Sequence, residues 1–187
     1  MGAYGSESAV PGALGDRSAR VHGESAALSG LGTCMFRRML RRMPMNTLKE
    51  LLVTQLNELY AAERRAAKLM PELSRTASDQ QLAALLRRDG DSAKERERRL
   101  DDVFRELGVR PHPARAETEG MKGLARDCVD LAKATRSDSG VRDAAIIAGV
   151  QHIAHDRIAG YGCARSWVEL LGFQQSVARL QLALTEE

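Results

Sequence analysis

The sequence predicts an all-α protein: a four-helix bundle of two antiparallel hairpins with an additional short helix between them. Three observations predict this class. The chain is 43% hydrophobic and 28% charged but only 4% aromatic, a balance that suits amphipathic helices and poorly suits a β-sandwich. From Thr47 onward, apolar residues recur every three or four positions, the period of a buried helix face. Proline, glycine and short polar turns divide this pattern into four long stretches and one short one.

The first helix starts at Thr47, where Glu50 three residues later completes a capping-box spacing. Its stripe runs Leu52, Leu56, Leu59, Glu63, Ala66, Met70, so a carboxylate sits inside an apolar seam. Pro71 is expected to bend or end this helix, because its ring removes an N–H and crowds the preceding turn. Ser78 with Gln81 offers the next capping box, opening a helix from about Asp79 to Leu107. Its seam reads Leu82, Leu86, Asp89, Ala93, Arg96, Leu100, Val103, Leu107, with Gly108 as the C-terminal cap and Pro111 and Pro113 in the following loop.

A shorter helix over about 117–135 places Met121, Leu124, Cys128, Leu131 and Ala132 on one side. The third long helix runs from about Ser139 to Leu171, with an expected inner face of Ala144, Ala148, Gln151, His155, Ile158 and Gly162. His152 falls at the edge of that face. A last helix from about Phe173 reaches Glu187.

Residues 1–44 read as a separate, disordered, basic N-terminal extension. They are rich in Gly, Ser and Ala without a sustained period, too little apolar surface to offset the entropy of ordering. They hold six arginines against three acids, which accounts for the whole formal charge of +3 and leaves 45–187 neutral. A basic pI therefore gives no ground for a nucleic-acid partner of the domain. Met45 directly precedes the first helix, and the extension is read as lying upstream of the true start.

The three cysteines, Cys34, Cys128 and Cys163, fit neither a disulfide framework nor a Cys-x-x-Cys metal site, so a reducing cytoplasm is expected. Cys163 is expected to pack among small residues. No apolar run approaches the roughly 18 residues of a membrane span, and no partner membrane is expected. No Gly-rich phosphate loop or Gly-x-Ser-x-Gly elbow is present. "KERERR" at 94–99 reads as a solvated face of mixed charge, while Trp167, Leu170 and Leu171 suit a subunit contact.

The polar residues that interrupt the seams carry the functional reading: Glu63, Asp89, Arg96, Gln151 and His155. Bundle di-metal sites are built from inward Glu residues and Glu-x-x-His pairs, whose spacing puts both ligands on one helix face. No Glu-x-x-His occurs here. The alternative for Glu63 is an ion pair with Arg96, and for His155 a core hydrogen bond to Gln or Tyr. A permanent guanidinium beside divalent ions would need compensating carboxylates.

The stretches "TLKELLVTQLNELYAAERRAAKLMPELSRTA", "RRLDDVFRELG", "GMKGL" and "VRDAAIIAGVQHIAHDRIAGYGCARSWVELLGF" resemble, in order and spacing, the YciE/YciF family of ferritin-like bacterial stress proteins. The resemblance covers about 45–187. It implies a cytoplasmic ferritin-like bundle, homodimeric, linked to stress, with an interior like a di-metal site. Glu63, Gln151, His155, Tyr161 and Gly162 match residues common in that family. Ala154 and Arg157 stand where it usually keeps glutamates, and Leu182 where a carboxylate is expected.

The resulting expectation is a non-catalytic stress-response protein with a degenerate di-metal site, no cofactor, and an unidentified stress-related protein partner. Its vestigial metal positions are Glu63, His155, Asp89 and Gln151, now a Glu/Asp-Arg-His polar core. The alternative is a protein that binds iron or manganese at a reduced site of Glu63, His155 and Asp89, with oxidase, peroxide-scavenging or storage activity.

Overall fold

A computed structural model of the chain describes residues 45–113, 116, 118–135 and 138–187. The expectations for residues 1–44, including Cys34, fall outside the described residues. Among the described residues five helices follow in order: α1 (Leu48–Thr76), α2 (Gln80–Leu107), α3 (Glu119–Ala134), α4 (Ser139–Leu170) and α5 (Gln174–Glu186). The long helices α1, α2 and α4 run the length of the bundle. At one end α5 packs against α4 and α2, while at the other α3 packs against α4 and touches α1.

Helix boundaries follow local chemistry. Thr47 accepts from the Glu50 backbone N–H while the Glu50 carboxylate accepts from the backbone N–H groups of Asn46 and Thr47, satisfying donors that a helix start leaves open. Pro71 does not end α1, which continues to Thr76. Across from its ring α2 carries Gly90, where a Cβ would lie 2.9 Å from the proline Cδ. The cap of α2 is Asp79, whose side chain accepts from Leu82 N–H at 2.7 Å, and not Ser78. Ser78 is drawn elsewhere, since its N–H and that of Asp79 donate to the buried Asp143 carboxylate at 2.9 and 2.7 Å. A tertiary acceptor thus displaced the predicted local cap. Gly108 closes α2 at φ 70°, a left-handed conformation that glycine adopts without a Cβ penalty.

The core has two apolar clusters. One gathers Leu52, Leu56, Leu100, Phe104, Val168 and Leu180 from α1, α2, α4 and α5. The other gathers Met70, Leu86, Met121, Cys128, Ile146 and Ile153 from α1 to α4. Every predicted seam residue of α1 is buried, Glu63 included. Leu131 of α3 is exposed instead of buried, as is Cys163 of α4.

The principal correction concerns α4. Its buried residues include Ile146, Gly149, Ile153, Arg157, Gly160, Tyr161, Ala164 and Val168. Ala144, Ala148, Gln151 and His155 are exposed. Apolar and small residues surround this helix on nearly every side, so periodicity alone does not choose its inner face.

The close approach of α3 to α4 depends on Gly149, where a Cβ would lie 2.6 Å from Cys128 Cβ and 2.9 Å from its Cα. Gly149→Ala is expected to cost about 1–3 kcal/mol through overpacking. Gly123→Ala, on α3 with open space beside it, is expected to stabilise by roughly 0.5–1 kcal/mol through helix propensity. Urea unfolding of the two variants checks the opposite signs.

Candidate functional site

Between the two apolar clusters lies a layer of charge. Three helices each place one ionisable group in it: Glu63 from α1, Arg96 from α2 and Arg157 from α4, all at 1% exposure or less. Each occupies a seam position with apolar neighbours one turn away, Leu59 and Ala66, Ala93 and Leu100, Ile153 and Tyr161, so helix periodicity itself directs it inward. Asp89 joins from the preceding turns of α2, and Glu187 from the end of α5, its side chain 2% exposed.

The connectivity is regular. Glu63 receives Arg96 Nε on Oε1 at 3.0 Å and Arg157 Nη1 on Oε2 at 3.2 Å. Asp89 receives Arg96 Nη2 on Oδ1 at 2.9 Å and Arg157 Nη2 on Oδ2 at 3.2 Å. Glu187 lies with Oε1 2.9 Å from Arg96 Nη2 and Oε2 3.0 Å from Arg157 Nη2. Each carboxylate therefore bridges the same two cations through its two oxygens. Tyr161 donates its hydroxyl to Glu63 Oε1 at 2.9 Å, giving that carboxylate a neutral donor besides its two charged ones. Arg157 Nε has no hydrogen-bond partner among the described residues.

Burial opposes the charge of both guanidiniums, but the facing carboxylates, Glu63 foremost, raise their pKa values further. Burial and then Glu63 lift the Tyr161 hydroxyl well above its ordinary value, keeping it a donor. Three carboxylates facing two guanidiniums leave one negative charge in excess. Glu187 absorbs it: burial, with Glu63 and Asp89 adding to it, outweighs Arg157 and Arg96 and raises its pKa from 4.5 to about 7.

That shift has a sign. A carboxyl whose folded pKa is raised contributes stability that is full below its unfolded pKa near 4.5 and lost as pH rises through about 7. Relative to Glu187→Gln, the wild-type chain is expected to lose on the order of 2–3 kcal/mol between pH 4.5 and pH 8. Parallel urea titrations of both proteins check this, and a constant difference between them across that range counts against it.

The sequence-predicted site residues divide in two. Glu63 and Asp89 come together with Arg96. Gln151 and His155 do not: both are exposed, and His155 Nδ1–H donates to the backbone carbonyl of Gln151 at 2.8 Å. His155 is the ordinary i, i−4 neighbour of Gln151 on a solvent face, and the core contains no histidine from this pair. Arg157 and Glu187 complete the layer. Arg157 is signalled by a permanent cation spaced from Ile153 and Tyr161 like a core residue, whereas Glu187 carries no such signal.

The arrangement is poorly suited to a di-metal centre. Every oxygen of Glu63 and Asp89 already faces a guanidinium, and two divalent ions would have to share the interior with two permanent cations, at a cost of several kcal/mol. Among the described residues, no group of three or more His, Cys, Asp or Glu is disposed to hold a metal ion. Chemically, the layer pairs two buried cations with carboxylates, and burial pushes the Glu187 carboxyl up toward neutral pH.

Comparison with known proteins follows the same outline. The profile of a domain of unknown function, DUF892, matches residues 47–187. Protein YciF of Escherichia coli K12 is 28% identical over 145 residues, covering 78% of this chain and 86% of that protein. Among solved structures, YcfI of Rhodopseudomonas palustris, for which a structural role has been suggested, superposes with a TM-score of 0.73 at 30% identity, over 78% of this chain and 90% of that one. The crystal structure of the E. coli stress protein YciF superposes with a TM-score of 0.71 at 25% identity, over 76% and 88%.

Proposed function

Because the chain belongs to the YciF family of DUF892 domains, we propose that it is a non-catalytic, structural stress-response protein in which an ion-pair layer has replaced a bundle metal centre. The observation that carries this is the bridging of Arg96 and Arg157 by all three inward carboxylates. Carboxylates that bridge two cations through separate oxygens are what a dinuclear centre uses, and here the cations are guanidiniums. They accept no electrons and open no coordination position, so the layer serves packing and register.

The same reading makes the protein a cytoplasmic homodimer acting with a stress-related protein partner. In support, α4 exposes Val141 and Ile147 at 53% and 47%, and Leu170 at 76%, apolar surface that an assembly would cover. Among the described residues, no helix is long and apolar enough to cross a membrane.

Metal analysis of protein purified without tags or chelators tests the central claim. Iron and manganese far below one atom per chain is the expected result. Near-stoichiometric metal lost in Glu63→Ala overturns it in favour of the iron- or manganese-binding alternative.

A further inference from the structure

On the outside of the bundle, a groove of about 710 Å³ lies between residues of α1 and α3. Arg64, Arg65 and Lys68 line it from α1, and Lys122 and Arg126 from α3, against only Glu72 and Asp130. The rest of the domain does not share this excess, since residues 45–187 are neutral as a whole. The cations are thus concentrated at one place and on two facing walls.

Some of these charges are tied locally. Arg64 pairs with Glu97 at 3.5 Å, and Lys122 with Glu119 at 3.2 Å, both at the surface. Among the described residues, neither the Lys68 nor the Arg126 side chain has an ion pair or hydrogen bond. Beneath them, Leu69 and Ala125 are buried and Val129 half-buried, giving the groove an apolar floor. Cationic walls over an apolar floor complement a ligand with an anionic end and a flat apolar body. The volume is that of a small-molecule site, and guanidiniums suit phosphate oxygens. A polynucleotide would need the positive charge to continue as a stripe along its backbone, whereas the residues of 45–187 outside the groove sum to three more acids than bases.

We infer that the α1–α3 groove is a binding site for a phosphorylated small molecule of nucleoside diphosphate class, its phosphates held by Lys68 and Arg126 with the flanking arginines and its apolar body on Leu69 and Val129. The site is separate from the buried ion-pair layer and stands whether or not that layer holds metal.

Calorimetric titration of the full chain with ADP, with inorganic pyrophosphate and with a single-stranded oligonucleotide tests it. The expected results are saturable ADP binding at least tenfold tighter than pyrophosphate, weakened at least tenfold by Lys68→Glu with Arg126→Glu. Arg87→Glu with Arg88→Glu, exposed on α2, should leave ADP binding unchanged. Circular dichroism melts show that both double variants fold. Absent ADP binding, ADP binding that ignores the Lys68 and Arg126 changes, pyrophosphate binding as tightly as ADP, or the oligonucleotide alone binding would each overturn the assignment.

Discussion

Glu63→Ala is expected to destabilise the bundle by about 3–5 kcal/mol, the range for breaking one partner of a buried ion pair. Glu63 is fully buried and accepts from Arg96, Arg157 and Tyr161. Truncating it leaves two guanidiniums in the interior with Asp89 and Glu187 alone, and Tyr161 with no acceptor among the described residues. The loss comes from stranded charge more than from the missing contact. Glu63→Leu combined with Arg96→Met and Arg157→Met is accordingly expected to cost less than the single truncation, because apolar replacements of a whole buried network are often neutral or stabilising. Urea unfolding of both variants gives the comparison. A single truncation costing under about 1 kcal/mol, the value of a surface pair, is incompatible with the layer described.

Arg96→Ala with Arg157→Glu is expected to turn the ion-pair layer into a divalent-metal site. Removing both guanidiniums and adding a carboxylate at position 157 leaves four facing carboxylates, with Glu63, Asp89 and Glu187, and four negative charges match two divalent ions. Oxygen ligands suit manganese and iron(II). The double variant is expected to bind Mn²⁺ saturably and to melt higher with Mn²⁺ than without it, since a ligand of the folded state stabilises by mass action. Arg157→Glu alone keeps Arg96 in the centre and is expected to bind Mn²⁺ at least tenfold more weakly. A folded double variant that takes up no Mn²⁺ argues that the layer has no kinship with a metal centre.

The seams of α1 and α2 were legible residue by residue because their apolar stripes are narrow and their opposite faces polar. The same contrast exposed Glu63, Asp89 and Arg96 as inward polar groups, and permanent charge made an ion pair the natural partner for Arg96. On α4 the contrast fails. Ile146 and Ile153 lie on one side of the helix and Ile147 and Ile158 on another, so a face through Gln151 and His155 and one through Ile153 and Arg157 read almost equally well. Ser78 and Glu187 mark a different limit: Ser78 donates to Asp143, 65 residues away, and Glu187 meets cations from two other helices.

By itself the sequence determined the class, the five helices, most of their ends, and the presence of acids and an arginine inside a helical bundle. These follow from periodicity and capping, which act within a few residues. Tertiary structure alone decided which side of α4 faces inward, that Arg157 and not His155 completes the layer, and that Glu187 closes it. The physical reason is that a helix with little amphipathic contrast takes its orientation from its neighbours, and the buried cation Arg157 fits only where Glu63, Asp89 and Glu187 are there to meet it.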